Sequence, residues 1–169
     1  MFAVWAGDAA GEPVACGVRP GAAVNGPIVR LTVPGVPRPQ GSLKIITNQR
    51  TGQPFAKNSD AMTEYRNRVV EAWQRAWARP ALDCPVGVRL EFTFPRPKSH
   101  FGTGRNRDRV KPSAPELWHT QTPDADKLIR LQLDGLVIGG VLRDDSLVSL
   151  VRGEKRWGDP QALVEVFVL

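Results

Sequence analysis

The segment that most restricts the fold of this chain is residues 86–94, where every second residue is large and apolar. Valine, leucine and phenylalanine at positions 86, 88, 90, 92 and 94 alternate with glycine, arginine, glutamate and threonine. Because successive side chains of a strand point to opposite faces of a sheet, this period of two predicts a strand with one buried face. The chain should therefore contain a sheet that other elements cover on one side.

Two stretches carry apolar residues at helical spacing and predict helices. The first begins at Ser59 or Asp60, either of which can cap a helix, and ends near Arg79, ahead of a proline. The second runs over residues 127–137 and buries a stripe of leucine and isoleucine. Aromatic residues at this spacing in the first helix are expected to pack in the core rather than stack on bases: Tyr65, Trp73 and Trp77.

Further strands are predicted on both sides of the helices. Residues 28–33 alternate and indicate a half-buried strand, and short strands are expected around the turn-like residues 48–52. Near the end of the chain, residues 147–152 and 163–168 predict an antiparallel pair. Their connection, residues 154–160, is expected to be a solvated hairpin tip or a contact to DNA, through Lys155, Arg156 and Trp157.

These elements predict one α+β domain over residues 28–169. Its small mixed sheet of about four strands carries two helices on one face, in the order β-α-β-α-β-β. A chain of 169 residues with 41% hydrophobic content can bury a core of this size without staples. Residues 1–27 are rich in glycine, alanine and proline and lack either period, so we expect a loosely ordered extension.

The positive charge of the chain is concentrated in one segment. The net charge is +6, and residues 95–111 alone hold six cations against the single acid Asp108. A near-neutral body with one basic segment is typical of a protein that binds a polyanion such as DNA. The alternative is a solvated charged loop, and the cations concerned are Arg96, Lys98, Arg105, Arg107, Arg109 and Lys111.

A second exposed loop follows the first predicted strand. Residues 34–41 contain three prolines and two glycines, which make a stiff connection. Arg38 and the nearby Lys44 give it positive charge, so it is either a plain connection or a contact to phosphate.

Aspartates cluster around the second predicted helix. Asp124 precedes it by three residues and Asp126 by one, and Asp144 and Asp145 follow the glycine turn after it. Carboxylates at a helix start are kept ionised by the helix dipole and can converge on a divalent cation. Capping would explain one of these acids, and a solvated surface is the alternative for all four. Asp134 is expected to pair with Arg130 one turn away on the helix face.

The remaining candidates for metal chemistry are few. Cys16 and Cys84 are far apart and form no CxxC motif, so neither a disulfide framework nor a zinc site is indicated. His119 precedes the first aspartate by five residues, and a structural hydrogen bond is favoured for it over metal ligation. With neither a signal-peptide core nor a membrane-spanning segment, we expect a cytoplasmic protein without a membrane partner.

Three motifs around the second helix resemble those of the RusA family of Holliday junction resolvases, especially its phage-borne members. They are Pro123-Asp-Ala-Asp-Lys-Leu-Ile-Arg130, then Asp134-Gly-Leu136, then Arg143-Asp-Asp-Ser146, in the family's order and spacing. Weaker likenesses lie in residues 36–41, 96–100 and 111–115. The resemblance covers roughly residues 28–169. Asp-x-Asp alone is a weak signal, whereas the three-part set is specific.

The resemblance implies a homodimeric, magnesium-dependent endodeoxyribonuclease that nicks two opposed strands of a four-way DNA junction in recombination and repair. Manganese would be the substitute ion, and a bacterial cytoplasm the location if the protein is phage-encoded. Asp124, Asp126 and Asp145 match the family's essential acids, and Asp144 matches a neighbouring acid that would join them on the metal. Arg130 stands where the family has a catalytic lysine, and Lys127 would share its work on the scissile phosphate. No protein partner other than a second copy is implied.

Two other classes of function fit parts of the pattern. A branched-DNA-binding protein without catalysis would use the same basic segment, with the acids only capping and solvating. Phosphatases of the haloacid dehalogenase type also use Asp-x-Asp, but they need a hydrophobic strand before the motif, where residues 120–123 stand here. Sugar-nucleotide transferases use it on much longer chains, with a nucleotide-binding half that this sequence lacks.

Overall fold

A computed structural model describes residues 4–6, 26–41, 44–47, 50–57 and 60–169, with the backbone alone in the strands at 4–6, 44–47 and 54–57. Within these residues lie seven strands and two α-helices. In chain order they are β1 (Val4–Ala6), β2 (Val29–Pro34), β3 (Lys44–Thr47), β4 (Pro54–Lys57), α1 (Asp60–Ala76), β5 (Val86–Phe94), α2 (Ala125–Ile138), β6 (Val148–Trp157) and β7 (Gln161–Val168).

The main sheet has the strand order β1-β2-β7-β5-β6. All neighbours run antiparallel except β5 and β6, which are parallel, so the predicted mixed sheet with two helices is confirmed. Strands β3 and β4 form a separate antiparallel pair, and part of the turn between them lies outside the described residues. The main sheet has one strand more than expected, because β1 pairs with β2 although residues 1–27 were predicted to be loosely ordered.

The predicted hairpin at the end of the chain is wrong. Strand β5 lies between β6 and β7, and β6 continues to Trp157 instead of turning near Arg152. A parallel pair needs a long crossover connection, and α2 supplies it between β5 and β6. Lys155, which had been assigned to the hairpin tip, consequently lies inside the sheet opposite Phe92.

The core lies between the helices and one face of the sheet. Leu90 and Phe92 of β5 are fully buried there, as are Leu131 and Leu136 of α2. The helices approach closely, since a Cβ on Gly135 would lie 2.6 Å from a methyl carbon of Val69. The aromatic residues of α1 and the residues just after it are buried in this core, which confirms that they are not base-stacking residues: Tyr65, Trp73 and Trp77.

The other face of the sheet is covered by ion pairs. Glu165 on β7 lies between Arg30 on β2 and Arg89 on β5, at 3.5 and 3.9 Å. Arg156 on β6 pairs with Glu154 at 2.7 Å and with Glu91 at 3.6 Å. These cross-strand charges explain how the polar second half of β6 remains a strand.

Cys84 is buried and disulfide-bonded, although the cysteine spacing had indicated no disulfide. None of the helices in the described part of the chain has the length and apolar character needed to cross a bilayer.

Candidate active site

Asp124 and Asp126 stand at the N-terminal end of α2. Asp124 is the residue before the helix, but its side chain makes no capping hydrogen bond. Its carboxylate instead accepts a hydrogen bond of 2.8 Å from Nζ of Lys127. This bond, with the attraction of the Lys127 charge, lowers the pKa of Asp124 below its usual range. Helix capping therefore does not account for Asp124, and its carboxylate is ionised and exposed.

Lys127 is bound to Asp124, and the charge of Asp126 adds a smaller attraction. The pKa of Lys127 is raised, chiefly by its hydrogen bond to Asp124 and further by the charges of Asp124 and Asp126. An exposed pair of carboxylates, one of them bound to a lysine, is thus present at the positive end of the α2 dipole. Such a pair is chemically suited to a hard divalent cation, which prefers ionised oxygen ligands.

The donor set at the start of α2 fits magnesium. Mg²⁺ is usually held by one or two carboxylates, while water and substrate phosphate complete its octahedron. Asp124 and Asp126 supply that number. Among the described residues no group of three or more aspartate, glutamate, histidine or cysteine side chains converges as a metal cage, and a two-carboxylate site does not require one.

Lys155 lies next to the site, whereas the sequence placed it in the connection between the last two strands. Its Nζ donates two hydrogen bonds of 2.7 Å, to the backbone oxygens of Gln121 and Pro123, directly before Asp124. Partial burial is the main cause that lowers the pKa of Lys155, which the charge of Asp124 opposes. Residues 153–156 are polar, so the sequence predicted a connection rather than a strand at this position. The ion pair of Arg156 with Glu91, which helps to hold them in the sheet, joins distant parts of the chain.

The loop after β2 packs beside the same helix start. The backbone N–H of Gln40 donates to the carbonyl oxygen of Lys127 at 3.0 Å. Arg38 is exposed and lies two residues before Gln40, so it is close in sequence to this anchored point. The side chain of Lys44, the other predicted phosphate contact of this region, lies outside the described residues.

Asp144 and Asp145 lie at the other end of β6. Asp144 precedes a short 3-10 helix, Asp145–Leu147, and its Oδ1 accepts a hydrogen bond of 2.9 Å from the Ser146 N–H, which lowers the pKa of Asp144. Val148 pairs with Val86, and Lys155 pairs with Phe92, so about 20 Å of strand separates the two ends. Within one chain the structure therefore does not bring the second aspartate pair to the first.

Arg130 is exposed on α2, one turn beyond Asp126. The expected ion pair with Asp134 is not formed, since among residues 60–169 no salt bridge joins the two side chains. The guanidinium is thus not tied to Asp134, and the residue is accessible to solvent.

The basic segment is organised rather than structureless. Phe101 pairs with Val110 across it, and the N–H of Gly102 donates to the carbonyl of Arg109. Two of its six cations hold the loop itself: Arg96 donates to the backbone oxygens of Pro115 and Glu116, and Lys111 donates to that of Ser99. The other four are exposed to solvent: Lys98, Arg105, Arg107 and Arg109.

Aromatic rings pack together beside β6, where His100 of the basic segment contacts Trp157 edge-on at 4.9 Å. His119 is buried between the rings of Phe94 and Trp157, with centroid distances of 4.2 and 4.3 Å. Burial, followed by the charge of Lys155, lowers the pKa of His119. Its backbone N–H donates to the carbonyl oxygen of Lys155. The ring Nδ1 has no partner among the described residues, and aromatic packing surrounds the ring.

The comparison with protein families agrees with this arrangement. The model of the family Endodeoxyribonuclease RusA matches residues 34–168, which include both aspartate pairs, the basic segment and Lys155. No curated protein matches the chain in sequence. Because the match extends over most of the sequence, the chain belongs to the RusA family of Holliday junction endodeoxyribonucleases.

Proposed function

We propose that this protein is a magnesium-dependent endonuclease that nicks opposed strands of four-way DNA junctions during recombination and repair. The observation that carries the proposal is the pair of exposed carboxylates of Asp124 and Asp126 at the start of α2, with Asp124 hydrogen-bonded to Lys127, in a chain of this family. If the pair had no function, the side chain of Asp124 would be expected to cap α2, which it does not do.

Asp124 and Asp126 would hold the ion, and manganese would substitute for magnesium. When bound, the ion supplies an activated water and neutralises charge on the phosphate. Lys127 and Arg130 flank the carboxylates and would contact the scissile phosphate. Arg130 keeps a positive charge at this place but cannot release a proton, so its contribution is electrostatic.

The four exposed cations of the basic segment, with Arg38 from the neighbouring loop, would grip the junction arms. Their side chains are accessible, whereas Arg96 and Lys111 shape the loop that presents them. Contacts of this kind release counterions from DNA, so binding should weaken steeply as salt rises.

We further propose that a homodimer reunites the two aspartate pairs. β6 is an edge strand of the sheet, and its middle exposes Leu150 and Val151, with 57% and 42% of their surface accessible. Toward its end, its free side is already occupied by residues 117–119, through the bridge of Trp118 with Arg156. The first half of β6 is therefore the part available to a second copy.

Antiparallel pairing of two β6 strands about a two-fold axis near Leu150 would bring Asp145 of the partner subunit toward the end of β6 that carries Lys155, next to the edge that residues 117–119 already occupy. Asp124 follows the backbone that Lys155 holds, so the partner's carboxylate would approach the first pair. Such a dimer would carry two equivalent sites, which suits a substrate with approximate two-fold symmetry.

The test of the enzyme is cleavage of a labelled four-way junction with magnesium or with EDTA. We expect paired nicks with magnesium only, and a rate at least about 10³-fold lower in Asp126→Asn. Asp134→Asn, one position of α2 that has no role in the proposal, is the matched control and should keep the wild-type rate.

A non-catalytic junction-binding protein predicts a different outcome. In that case no nicks appear with magnesium, and Asp126→Asn binds the junction as the wild type does. Binding without cleavage in both proteins would reject the nuclease proposal.

A further inference from the structure

Lys155 is tied to the backbone that leads into Asp124. Its ammonium group lies 2.7 Å from the carbonyl oxygen of Gln121 and 2.7 Å from that of Pro123. We propose that Lys155 is a positioning residue, which anchors residues 121–123 to β6 and thereby holds the Asp124 carboxylate where it meets the metal. The inference rests on the proposed function, because it assigns a role within that site.

The anchor itself is rigid. On one side the backbone of Lys155 is paired with Phe92 of β5. On the other side its carbonyl oxygen accepts a hydrogen bond of 3.1 Å from the N–H of His119. With a neighbour on each side, Lys155 extends its ammonium from a fixed point of the sheet, which a lysine on an exposed loop could not do.

The segment that it holds has little other support. Residues 120–123 belong to neither a helix nor a strand. Their backbone groups make no hydrogen bond to the backbone of any other described residue. Thr120, Gln121 and Thr122 are exposed. The two bonds from Lys155 are the hydrogen bonds that join this segment to the sheet in the described part of the chain.

The two lysines near Asp124 have separate tasks. Lys127 bonds the carboxylate itself and has 44% of its side-chain surface accessible, so it can exchange that bond for a phosphate. Lys155 bonds the preceding backbone and is partly buried, so two of its three donors are already engaged. Removing Lys127 would change the charge around the Asp124 carboxylate. Removing Lys155 would let the backbone before Asp124 move, and the carboxylate with it.

The experiment measures manganese binding to the DNA-free protein by electron paramagnetic resonance, together with cleavage at varied magnesium. In Lys155→Met, we expect the manganese Kd and the half-saturating magnesium concentration both to rise at least about fivefold. Junction binding in EDTA should stay within about twofold of the wild type. Lys155→Arg should give metal constants between those of the wild type and Lys155→Met, because the guanidinium of Arg96 shows that such a group can bond two carbonyl oxygens.

Arg30→Met is the matched control, since it removes one cation from the opposite face of the sheet and should leave both metal constants unchanged. Wild-type metal constants in Lys155→Met would overturn the proposal. So would a loss of junction binding in EDTA as large as the loss of rate, which would make Lys155 a DNA contact.

Melting temperatures identify a variant that fails to fold. If Lys155→Met does so, Lys155→Arg decides, and wild-type constants together with weaker junction binding in EDTA would reject positioning. The manganese measurement needs no cleavage, so it judges Lys155 even if the wild type does not cut, an outcome that would reject the proposed function instead.

Discussion

The aspartate pairs beside the two ends of β6 differ in the charges around them. The far end is the one at Lys155, next to Asp124 and Asp126, and the near end is the one at Val148, next to Asp144 and Asp145. At the far end, Asp124 is bound to Lys127, and Lys155 secures the backbone before Asp124. At the near end, Asp144 accepts a hydrogen bond from its own loop, and Arg143 is engaged with Asp83 at 2.6 Å. The first pair is surrounded by cations that serve it, whereas the second has none paired with it in the described residues. The second pair is thus suited to join a site that already has its cations.

The largest expected effect comes from mixing two inactive variants. Asp126→Asn and Asp145→Asn should each abolish cleavage as homodimers. If each site combines Asp126 of one subunit with Asp145 of the other, a mixed dimer contains one intact site and one with both substitutions. Co-refolded protein should therefore nick one strand of the junction, which a gel of end-labelled strands detects.

The control for this mixture is two variants at the same end of β6. Asp124→Asn mixed with Asp126→Asn leaves a substitution in every site and should stay inactive under either arrangement. If the mixture of Asp126→Asn and Asp145→Asn is equally inactive although mixed dimers are present, the two ends do not meet across the dimer.

The next effect is on binding and tests whether the basic segment serves the far end. Replacement of Arg105, Arg107 and Arg109 by serine should weaken junction binding on the order of tenfold or more at moderate salt. It should also reduce the slope of log Kd against log salt by up to about three. Fluorescence anisotropy with a labelled junction in EDTA measures both quantities.

Arg75→Ser on α1 removes an exposed cation paired with Glu71 and should change neither quantity. An unchanged salt slope in the triple variant would show that these arginines do not meet phosphate.

The regular elements were predictable because their signal is local. Strand β5 has the predicted bounds, since its apolar residues alternate over nine positions and all five are buried. Helix α1 also matches closely, from Asp60 to Ala76. In each case one continuous stretch reports its own buried face, and no distant residue is needed to interpret it.

The partners of β6 could not be predicted because they are distant in sequence. Gly153, where alternation fails, faces Ile129 of α2, and Arg156 pairs with Glu91 of β5. A polar stretch of this kind is typical of a turn unless its tertiary partners are known. For the same reason the residue types of the site were visible, whereas the separation of the two aspartate pairs and the position of Lys155 were not.

A smaller effect concerns the pH dependence of the far end. The Lys127 hydrogen bond lowers the pKa of Asp124, so this carboxylate stays ionised at pH values below the usual pKa of an aspartate. Lys127→Met should raise the pKa of Asp124 toward its ordinary value, and the acid limb of the pH–rate profile should move to higher pH. Carbon-13 NMR titration of the metal-free protein follows the same carboxyl group. Limbs that coincide in wild type and variant would show that Asp124 does not control the rate.

The smallest effect is expected from the ion pair at the near end. Arg143 and Asp83 are both largely exposed, at 70% and 58% of their side-chain surface. Because exposed ion pairs contribute about 1 kcal/mol or less, Arg143→Met should lower the free energy of unfolding by no more than that. The Arg143 N–H still donates to the Leu82 carbonyl oxygen, so the loop keeps its backbone contact. Urea unfolding of Arg143→Met, Asp83→Asn and the double variant measures the coupling. A coupling energy well above about 1 kcal/mol would mean that this end of β6 is fixed by its charges, as the far end is proposed to be.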